Sequence, residues 1–349
     1  MGEEIIVLTE EHVREVMSPS EALAVLEQAY RDLGTGGAVT RPRARTYVGT
    51  GQPGGVFQFV SMDGGSSALG AFGLRLVSHL RRYTTVDGAA RAETVRQPGQ
   101  KRFPGLILVF DLADGMLVGM MPQDTITVLR LGATSTLAAR YLARADSRVA
   151  GFIGSGPQAQ AHAIALAQEF RLAQIRVYSP NPEHRERFAA RVGEATGVEV
   201  VGLDSARQAA ESDIFVTATN ALGPVYEAAW VQPGTCVINI NQHEVAPDMD
   251  ERAALVVVKG KQAGLNFASP AVADNPELAA DAELSWEHYP ELADLVAGKV
   301  GGRQSPDEIT FFRNNEGLGL EFAATGARAC ELARARGIGH RIPRDWFLV

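Results

Sequence analysis

The feature that most constrains this chain is a glycine-rich turn between an apolar run and a helical pattern. Val149–Ile153 is typical of a buried strand, and Gly154 to Ala159 follow as Gly-x-Gly-x-x-Ala. Because such a turn directs backbone N–H groups and the positive end of a helix dipole at one spot, it suits a pyrophosphate. We expect Gly154 to make the turn, Gly156 to admit the phosphates and Ala159 to pack on the strand.

The context of this turn supports a dinucleotide site. The motif alone is weak evidence, but a strand pattern precedes it, an alanine-rich helix follows it, and a second strand pattern ends at Tyr178. The residues predicted to contact the cofactor here are Gly154, Ser155, Gly156, Pro157 and Gln158.

Strand and helix patterns alternate after the turn. Strands are predicted at 149–153, 175–178, 198–202, 214–217, 236–239 and 255–258. This alternation is typical of a parallel sheet with helices on both faces. The fold class predicted for this part is therefore α/β, a Rossmann dinucleotide-binding domain.

The preceding part of the chain has a different pattern. A helix is predicted to start at Ser18-Pro19-Ser20-Glu21, which offers a cap, a proline at the first helical position and a capping-box glutamate, and to end at Gly34. Strand patterns at 56–61, 71–79, 106–110 and 116–121 indicate an antiparallel or mixed sheet, and the polar stretch 79–102 is predicted to be a long functional loop. Further helices are predicted at 124–143, 275–300 and 318–336.

Composition argues against several classes of protein. The 349 residues carry a formal net charge of -8 without a block of Lys and Arg, which argues against a nucleic-acid partner. No apolar run approaches the roughly 18 residues of a membrane span, and the N-terminus is acidic where a signal peptide would be basic. Cys236 and Cys330 lie far apart and suggest no disulfide framework. We expect a cytoplasmic protein of two domains with no membrane partner.

Several stretches together resemble the ornithine cyclodeaminase/μ-crystallin family. They are 105–111 with Gly115, 125–143 with its Arg-x-Gly-Ala, the glycine turn, 217–220, 230–241, 302–305 and 315–321, and they occur in the family's order. The resemblance implies a Rossmann NAD(P)-binding domain at 125–308. It also implies a mixed α+β domain at 1–124 and 309–349, which binds substrate and pairs two subunits as a homodimer. Members act on small amino or imino acids with a bound nicotinamide.

The resemblance also places the substrate-binding cations. Arg130 falls on the family's helical arginine, and Arg45, or alternatively Arg43, falls on its N-terminal arginine. The family's lysine lies in a Gly-x-Lys pattern that reads Gly73-Leu74-Arg75 here, so the position holds Arg75. Arginine binds a carboxylate bidentately but does not release its proton. Arg75 is therefore predicted to hold the substrate or polarise its C=N or C=O bond, but not to shuttle protons.

A second departure affects acid–base chemistry. Where cyclodeaminases have a catalytic aspartate, this chain reads Asn241-Gln242-His243-Glu244, so His243 is the candidate general acid and Glu244 an alternative. His79 lies four residues after Arg75 on the same strand pattern, hence on the same face, and is a second candidate. The remaining histidines show no metal-ligand spacing, and we predict no metal site.

The predicted cofactor is NADP(H) rather than NAD(H). NAD sites usually carry an acidic residue after the second strand, but Ser179 stands there, with Asn181 and Arg185 nearby to bind a 2′-phosphate. The family resemblance adds a set of polar residues to the cofactor site. They are Thr217, Thr219, Asn220, Asn241 and Asn315.

Three functions remain open at this point. The first is an NAD(P)-dependent oxidoreductase that reduces an imine or ketimine, or oxidises an amino acid. The second is a cyclodeaminase-like lyase that releases ammonia and recycles its cofactor within each turnover. The third is a non-catalytic protein that keeps the nucleotide site and binds a small ligand. Loss of the family's lysine and aspartate argues against ornithine cyclisation.

Overall fold

The computed structural model describes residues 4–86, 89–95, 103, 105–221, 223–262, 264–272, 286–314 and 317–348. The strands are β1 (Glu4–Val7), β2 (Ala38–Thr40), β3 (Ala44–Gly49), β4 (Gly55–Ser66), β5 (Ala71–Val86), β6 (Ala89–Thr94), β7 (Leu106–Asp111), β8 (Leu117–Pro122), β9 (Val149–Ile153), β10 (Gln174–Tyr178), β11 (Glu199–Leu203), β12 (Ile214–Thr217), β13 (Cys236–Asn239), β14 (Leu255–Val258), β15 (Leu265–Ala268), β16 (Thr310–Arg313) and β17 (His340–Pro343). The helices are α1 (Glu10–Val16), α2 (Pro19–Thr35), α3 (Asp124–Leu142), α4 (Pro157–Glu169), α5 (Pro182–Thr196), α6 (Ala206–Ala210), α7 (Met249–Arg252), α8 (Leu292–Val296) and α9 (Gly319–Arg336).

A parallel sheet forms one half of the fold. Its strand order is β11-β10-β9-β12-β13-β16-β14. The chain proceeds outward from β9 in one direction and from β12 in the other, so the order reverses between these two strands. Such a switch point is where open α/β sheets bind ligands, and the glycine turn follows β9 at this place. The predicted α/β class is confirmed, and six of the seven strands of this sheet agree with the prediction to within one residue at each end.

A mixed sheet forms the other half. Its main path is β15-β3-β4-β5-β7-β8-β1-β17, with β2 paired to β4 and β6 paired to β5. The strands from β3 to β8 along this path pair antiparallel, whereas β1 is parallel to β8 and β15 is parallel to β3. Strands from both ends of the chain meet here, because β1 pairs with β17.

Two predictions about single elements were wrong. The stretch 79–102 is not a long loop, because β5 continues to Val86 and pairs with β6. Within this stretch, His79 and Arg81 line a polar cleft on one face of β5, whereas Leu80 and Arg82 are exposed on the other face. Within the helix predicted at 275–300, residues 286–291 are not helical, and Leu292–Val296 form the short helix α8. Residues 275–285 lie outside the described part of the chain.

Two strands do not lie in the sheet to which the predicted domain boundaries assign them. β16 follows residue 308 but lies inside the parallel sheet, between β13 and β14. β15 precedes residue 308 but pairs with β3 of the mixed sheet. Backbone pairing explains both, because each short apolar strand completes a sheet whose other strands are distant in sequence.

Helix α9 packs against the mixed sheet and carries side chains toward the cleft. A Cβ atom on Gly73 would lie 2.5 Å from Ala323 Cα, so α9 packs against β5 at backbone distance. Ala323 and Ala324 are fully buried, whereas Ala327 is only half-buried. Helix α2 starts as predicted but continues past Gly34 to Thr35. No helix in the described part of the chain is both long and apolar enough to cross a membrane.

Candidate active site

The glycine turn has the geometry of a phosphate cradle. Gly154 has φ +106°, and a Cβ atom there would lie 2.3 Å from Ala218 O, so only glycine fits. At Gly156 a Cβ would meet nothing within 4 Å, which leaves open space before the first turn of α4. Ala159 is fully buried against the strand. These observations fit a dinucleotide pyrophosphate at this helix N-terminus.

The end of β10 brings the predicted 2′-phosphate residues together. Arg185 Nη1 donates a hydrogen bond to the Ser179 carbonyl oxygen at 2.8 Å, and Nη2 pairs with Asp204 at 2.7 Å. Asn181 caps α5 by accepting a hydrogen bond from Glu183 N at 2.9 Å. The Asp204 side chain is 96% exposed, so its pairing with Arg185 contributes little and a phosphate can compete for the guanidinium.

Glu244 joins the loops that follow β12 and β13. Its Oε2 accepts hydrogen bonds from Thr219 N at 2.8 Å and Thr219 Oγ1 at 2.7 Å, and its Oε1 accepts one from Asn241 N at 3.0 Å. Glu244 is fully buried, and burial raises the pKa of its carboxyl. These contacts assign Glu244 to positioning the cofactor loops, which disfavours it as the alternative general acid.

The other residues predicted to bind the cofactor differ in their exposure and in their hydrogen bonds. Thr217 is fully buried, whereas Asn220 is exposed. The Asn241 side chain donates to Ala221 O at 3.1 Å and accepts from His243 N at 3.2 Å, so it shapes the loop that carries His243. Asn315 lies outside the described residues.

A cleft of about 470 Å³ lies between the inner face of the mixed sheet and the carboxyl edge of the parallel sheet. Most of its polar lining is cationic, and it contains the predicted substrate-binding and acid–base residues. The basic side chains of the lining are Arg43, Arg45, Arg75, His79, Arg81, Arg130, His243 and Lys259, of which Arg81 and Lys259 were not predicted. The structure therefore brings together Arg45, its alternative Arg43, Arg75, Arg130, His243 and His79.

Arg75 and Arg130 meet at one end of this cleft. Their guanidinium carbons lie 5.6 Å and 4.8 Å from the centre of the Phe322 ring. Arg75 also donates a hydrogen bond from Nε to Gln123 Oε1. Burial, with the nearby charges of Arg130 and Arg43, lowers the pKa of Arg75 to about 9. Two neighbouring cations of this kind can share one anionic ligand.

Arg130 is anchored by a buried carboxylate that sequence reasoning missed. Arg130 Nη1 pairs with Glu321, whose Oε1 also accepts hydrogen bonds from Thr134 Oγ1 at 2.6 Å and Tyr30 OH at 2.9 Å. Lys259 Nζ lies 4.0 Å from Glu321 Oε2. Burial acts to raise the pKa of Glu321, but the charges of Lys259 and Arg130 lower it on balance.

A chain of buried hydrogen bonds links Lys259 to the cofactor helix α4. Lys259 Nζ donates to Asn314 Oδ1 at 2.7 Å, and Asn314 Nδ2 donates to Ser135 Oγ at 2.9 Å. Ser135 Oγ lies 2.9 Å from His162 Nε2, and His162 Nδ1 lies 2.7 Å from the Gln158 carbonyl oxygen.

The donor and the acceptor of each hydrogen bond in this chain follow from its two end groups, the Lys259 ammonium and the Gln158 carbonyl. A carbonyl oxygen only accepts, so His162 Nδ1 carries the proton and Nε2 accepts from Ser135. Burial, with the charges of Lys259 and Arg130, lowers the pKa of His162 to about 4, which keeps this tautomer neutral. Lys259 therefore remains a donor at the cleft. The sequence signal that could have identified Lys259 as a site residue is its position directly after an apolar parallel strand, at the sheet edge that binds ligands.

His243 occupies a different wall of the cleft. It lies in a short 3-10 helix, Gln242–Glu244, directly after β13, and its side chain is exposed. His79 lies opposite Gln58 on the mixed sheet. Among the described residues, no group of three or more His, Cys, Asp or Glu side chains is placed to hold a metal ion.

Comparisons with known proteins agree with this geometry. An alanine dehydrogenase of Archaeoglobus fulgidus is 25% identical over 345 residues, which cover 97% of this chain and 98% of that protein. The structure of Thermococcus litoralis Delta(1)-pyrroline-2-carboxylate reductase in complex with NADH and L-proline is 28% identical, with a TM-score of 0.76 over 97% of this chain and 100% of that one. An archaeal alanine dehydrogenase dimer with bound NAD is 25% identical, with a TM-score of 0.75 over 97% and 99% of the two chains.

The family-level comparison covers nearly the whole sequence. A model described as the ornithine cyclodeaminase/mu-crystallin family matches residues 3–327. The matched region contains the glycine turn, the cationic cleft and the start of α9. This chain therefore belongs to the ornithine cyclodeaminase/μ-crystallin family.

Proposed function

We propose that this protein is an NAD(P)-dependent oxidoreductase that reduces the C=N bond of a small imino acid, or runs the reverse oxidation of an amino acid. The observation that carries the proposal is the pair Arg75 and Arg130, which lie against Phe322 beside the carboxyl edge of a Rossmann-type sheet. Two cations at this edge suit a carboxylate next to the reacting carbon. The reductase and dehydrogenase relatives support the same class of reaction.

Each residue of the cleft has its own role in the proposed reaction. A nicotinamide dinucleotide bound at the glycine turn supplies the hydride. Arg75 and Arg130 hold the substrate carboxylate and so fix the orientation of the imine, with Arg45 as a further cation. His243 donates a proton to the imine nitrogen while the imine carbon gains the hydride, which converts C=N to CH–NH. Because the His243 side chain is exposed, solvent can return its proton.

The cyclodeaminase alternative fits this cleft less well. The described lining contains five arginines, one lysine and no carboxylate. A diamino acid such as ornithine would place its second ammonium group among these cations, which repel it.

A substrate panel tests the proposed reaction. 2-Oxo acids mixed with amines, and preformed cyclic imines, are incubated with the protein and NADPH or NADH, and loss of absorbance of the reduced cofactor is followed. We expect turnover with at least one imine. Ammonia release without net cofactor change would favour the lyase, and ligand binding without any turnover would favour the non-catalytic protein.

We also propose that the cofactor is NADP(H) rather than NAD(H). Support comes from Ser179 in place of an acidic residue and from Arg185, whose guanidinium lies beside the Ser179 carbonyl. Ser179→Asp should shift preference toward NAD(H), because a carboxylate binds the ribose hydroxyls and repels a 2′-phosphate. Dissociation constants for both cofactors are compared in the two proteins, with Ser205→Asp, after β11, as control. Equal wild-type constants would contradict the proposal.

A further inference from the structure

The cationic lining of the cleft extends well beyond the place where one carboxylate binds. Along β5 the residues Arg75, Val77, His79 and Arg81 alternate with residues of the opposite face, and all four line the cleft. Arg75 lies at the inner end, beside Phe322. His79 and Arg81 lie toward the other end. One strand thus presents cationic groups at both ends of the cleft.

Arg81 is held in place by neutral groups. Its Nε lies 3.4 Å from Gln58 Oε1, and Gln58 Nε2 donates to Tyr47 OH at 3.1 Å. Gln58 and Tyr47 are both buried, at 3% and 1% exposure, so they form a fixed support. Gln58 lies opposite His79 in the sheet register, and the Arg81 side chain therefore leans back to the level of His79.

Neither Arg75 nor Arg81 forms an ion pair with a described residue. The partner of each is the amide oxygen of a glutamine. Glu321, the carboxylate beneath the cleft, is already shared by Arg130 and Lys259. Burial, followed by the charges of Arg130 and Arg43, lowers the pKa of Arg75, which agrees with its having no ion-pair partner among the described residues.

The two cationic centres are too far apart for one carboxylate. The Arg75 and His79 levels are four residues apart on an extended strand, or about 13 Å at roughly 3.3 Å per residue. A carboxylate bound at Arg75 and Arg130 accepts hydrogen bonds of about 2.8 Å, so it cannot also reach Arg81. A substrate the size of proline would leave the outer centre unfilled.

We propose that the substrate carries a second carboxylate at the end of its carbon chain away from the imine, and that Arg81, with His79 beside it, binds this group. The inference rests on the proposed imine reduction, whose substrate it narrows to imino dicarboxylates. Arg81 selects the distal group and takes no part in the chemical step.

Matched substrates isolate this distal group. 2-Oxoadipate and 2-oxohexanoate have the same carbon chain and differ only in the terminal carboxylate, and 2-oxoglutarate and 2-oxovalerate form a shorter pair. Each is mixed with methylamine, and kcat/KM is measured from loss of the reduced cofactor. In a parallel arm, binding of 2-aminoadipate and norleucine to the protein with NADP+ is measured by calorimetry.

We expect the diacid of at least one pair to have a kcat/KM about 10- to 100-fold higher than its partner, the range of a charge-assisted hydrogen bond. Arg81→Gln should remove most of this ratio. Arg82→Gln should leave it unchanged, because Arg82 is exposed on the opposite face of the same strand. Arg81→Glu should reverse the ratio, since a carboxylate there repels the diacid.

The outcomes separate the inference from the proposed function. If monocarboxylic imines turn over and neither diacid is preferred, the inference is overturned while imine reduction stands. If no imine turns over, the proposed function fails, and the binding arm decides the inference. Tighter binding of 2-aminoadipate than of norleucine that depends on Arg81 supports it, and equal binding overturns it.

Discussion

Arg75 sets the charge of the cleft and leaves proton transfer to other residues. Its pKa of about 9 keeps the guanidinium protonated at neutral pH. A bound carboxylate would raise that pKa again, because a nearby anion favours the charged form. In the proposed reaction the proton for the imine nitrogen comes from His243, which lines the same cleft from the edge of the parallel sheet.

Replacing His243 with Ala tests this role. We expect kcat to fall by about 10²–10⁴ with a smaller change in KM, because removing a general acid slows the chemical step. The pH–rate profile should also lose one limb. His340→Ala is the control, since this exposed histidine on β17 is not among the residues that line the cleft. An unchanged kcat and pH profile in His243→Ala would transfer the role to His79.

The sequence predicts those site residues that stand next to a recognisable pattern. Arg75 and His243 were found because each occupies a position in a known motif. Glu321 and Lys259 were not, because their roles depend on partners far away in the chain: Arg130 lies 191 residues before Glu321, and Asn314 lies 55 residues after Lys259. Periodicity along one segment does not specify which distant side chain it meets.

At the level of elements, the two glycines of the turn between β9 and α4, Gly154 and Gly156, have different roles. Gly156→Trp should weaken cofactor binding by at least about tenfold with little change in melting temperature, because its side chain would occupy the open space before α4. Gly154→Ala should instead lower the melting temperature, since φ is +106° and the new Cβ would meet Ala218 O. Calorimetric titration and thermal melting of both variants measure the difference. Wild-type cofactor affinity in Gly156→Trp would place the site elsewhere.

Helix α4 also carries an acid-sensitive group. The pKa of His162 is about 4 in the folded protein against an ordinary value of 6.5, so the unfolded chain binds the proton more tightly. The stability that neutral His162 contributes is therefore complete above about pH 6.5 and is lost as pH falls toward 4, by up to about 3 kcal/mol. His162→Gln, which stays neutral, should flatten this decline.

Urea unfolding at about pH 7.5 and about pH 5 measures this effect as a change in the free energy of unfolding. His184→Gln, on the exposed surface of α5, is the matched control and should retain the wild-type decline. If His162→Gln loses stability with acid as steeply as the wild type, the sensitivity belongs to other groups.

The elements of the two sheets differ in how well they can be predicted. Strands of the parallel sheet are buried on both faces and read as short apolar runs, which is why β9, β12, β13 and β14 were found with their observed bounds. β6 was missed because it has no apolar run and pairs with β5 off the main path of the sheet. β16 was missed because its apolar run is only Phe311 and Phe312, which stand between Thr310 and Arg313.

At the scale of the whole molecule, the outer face of the mixed sheet carries an exposed apolar row. Val48, Phe57 and Leu80 are direct neighbours across β3, β4 and β5 and are 45%, 40% and 42% exposed. We expect this face to form a homodimer interface, as a related archaeal alanine dehydrogenase is a dimer. Light scattering should give a dimeric mass at micromolar concentration.

Phe57→Lys should shift that mass toward the monomer, because it buries a charge in the interface. Val39→Lys is the control, since Val39 is exposed on β2 outside this row. A monomeric wild type, or a dimer that Phe57→Lys does not weaken, would contradict the prediction.

The path of the chain through β14, β15 and β16 bears on how this protein can diversify in evolution. The chain leaves the parallel sheet, adds β15 to the edge of the mixed sheet, and returns to insert β16 between β13 and β14. Neither sheet is therefore encoded by an uninterrupted stretch of the gene. Recombination that exchanged one half of the molecule would leave an unpaired strand in both products. New specificities in such a scaffold are expected to arise by point substitutions in the cleft, such as the arginine at position 75, rather than by shuffling of modules.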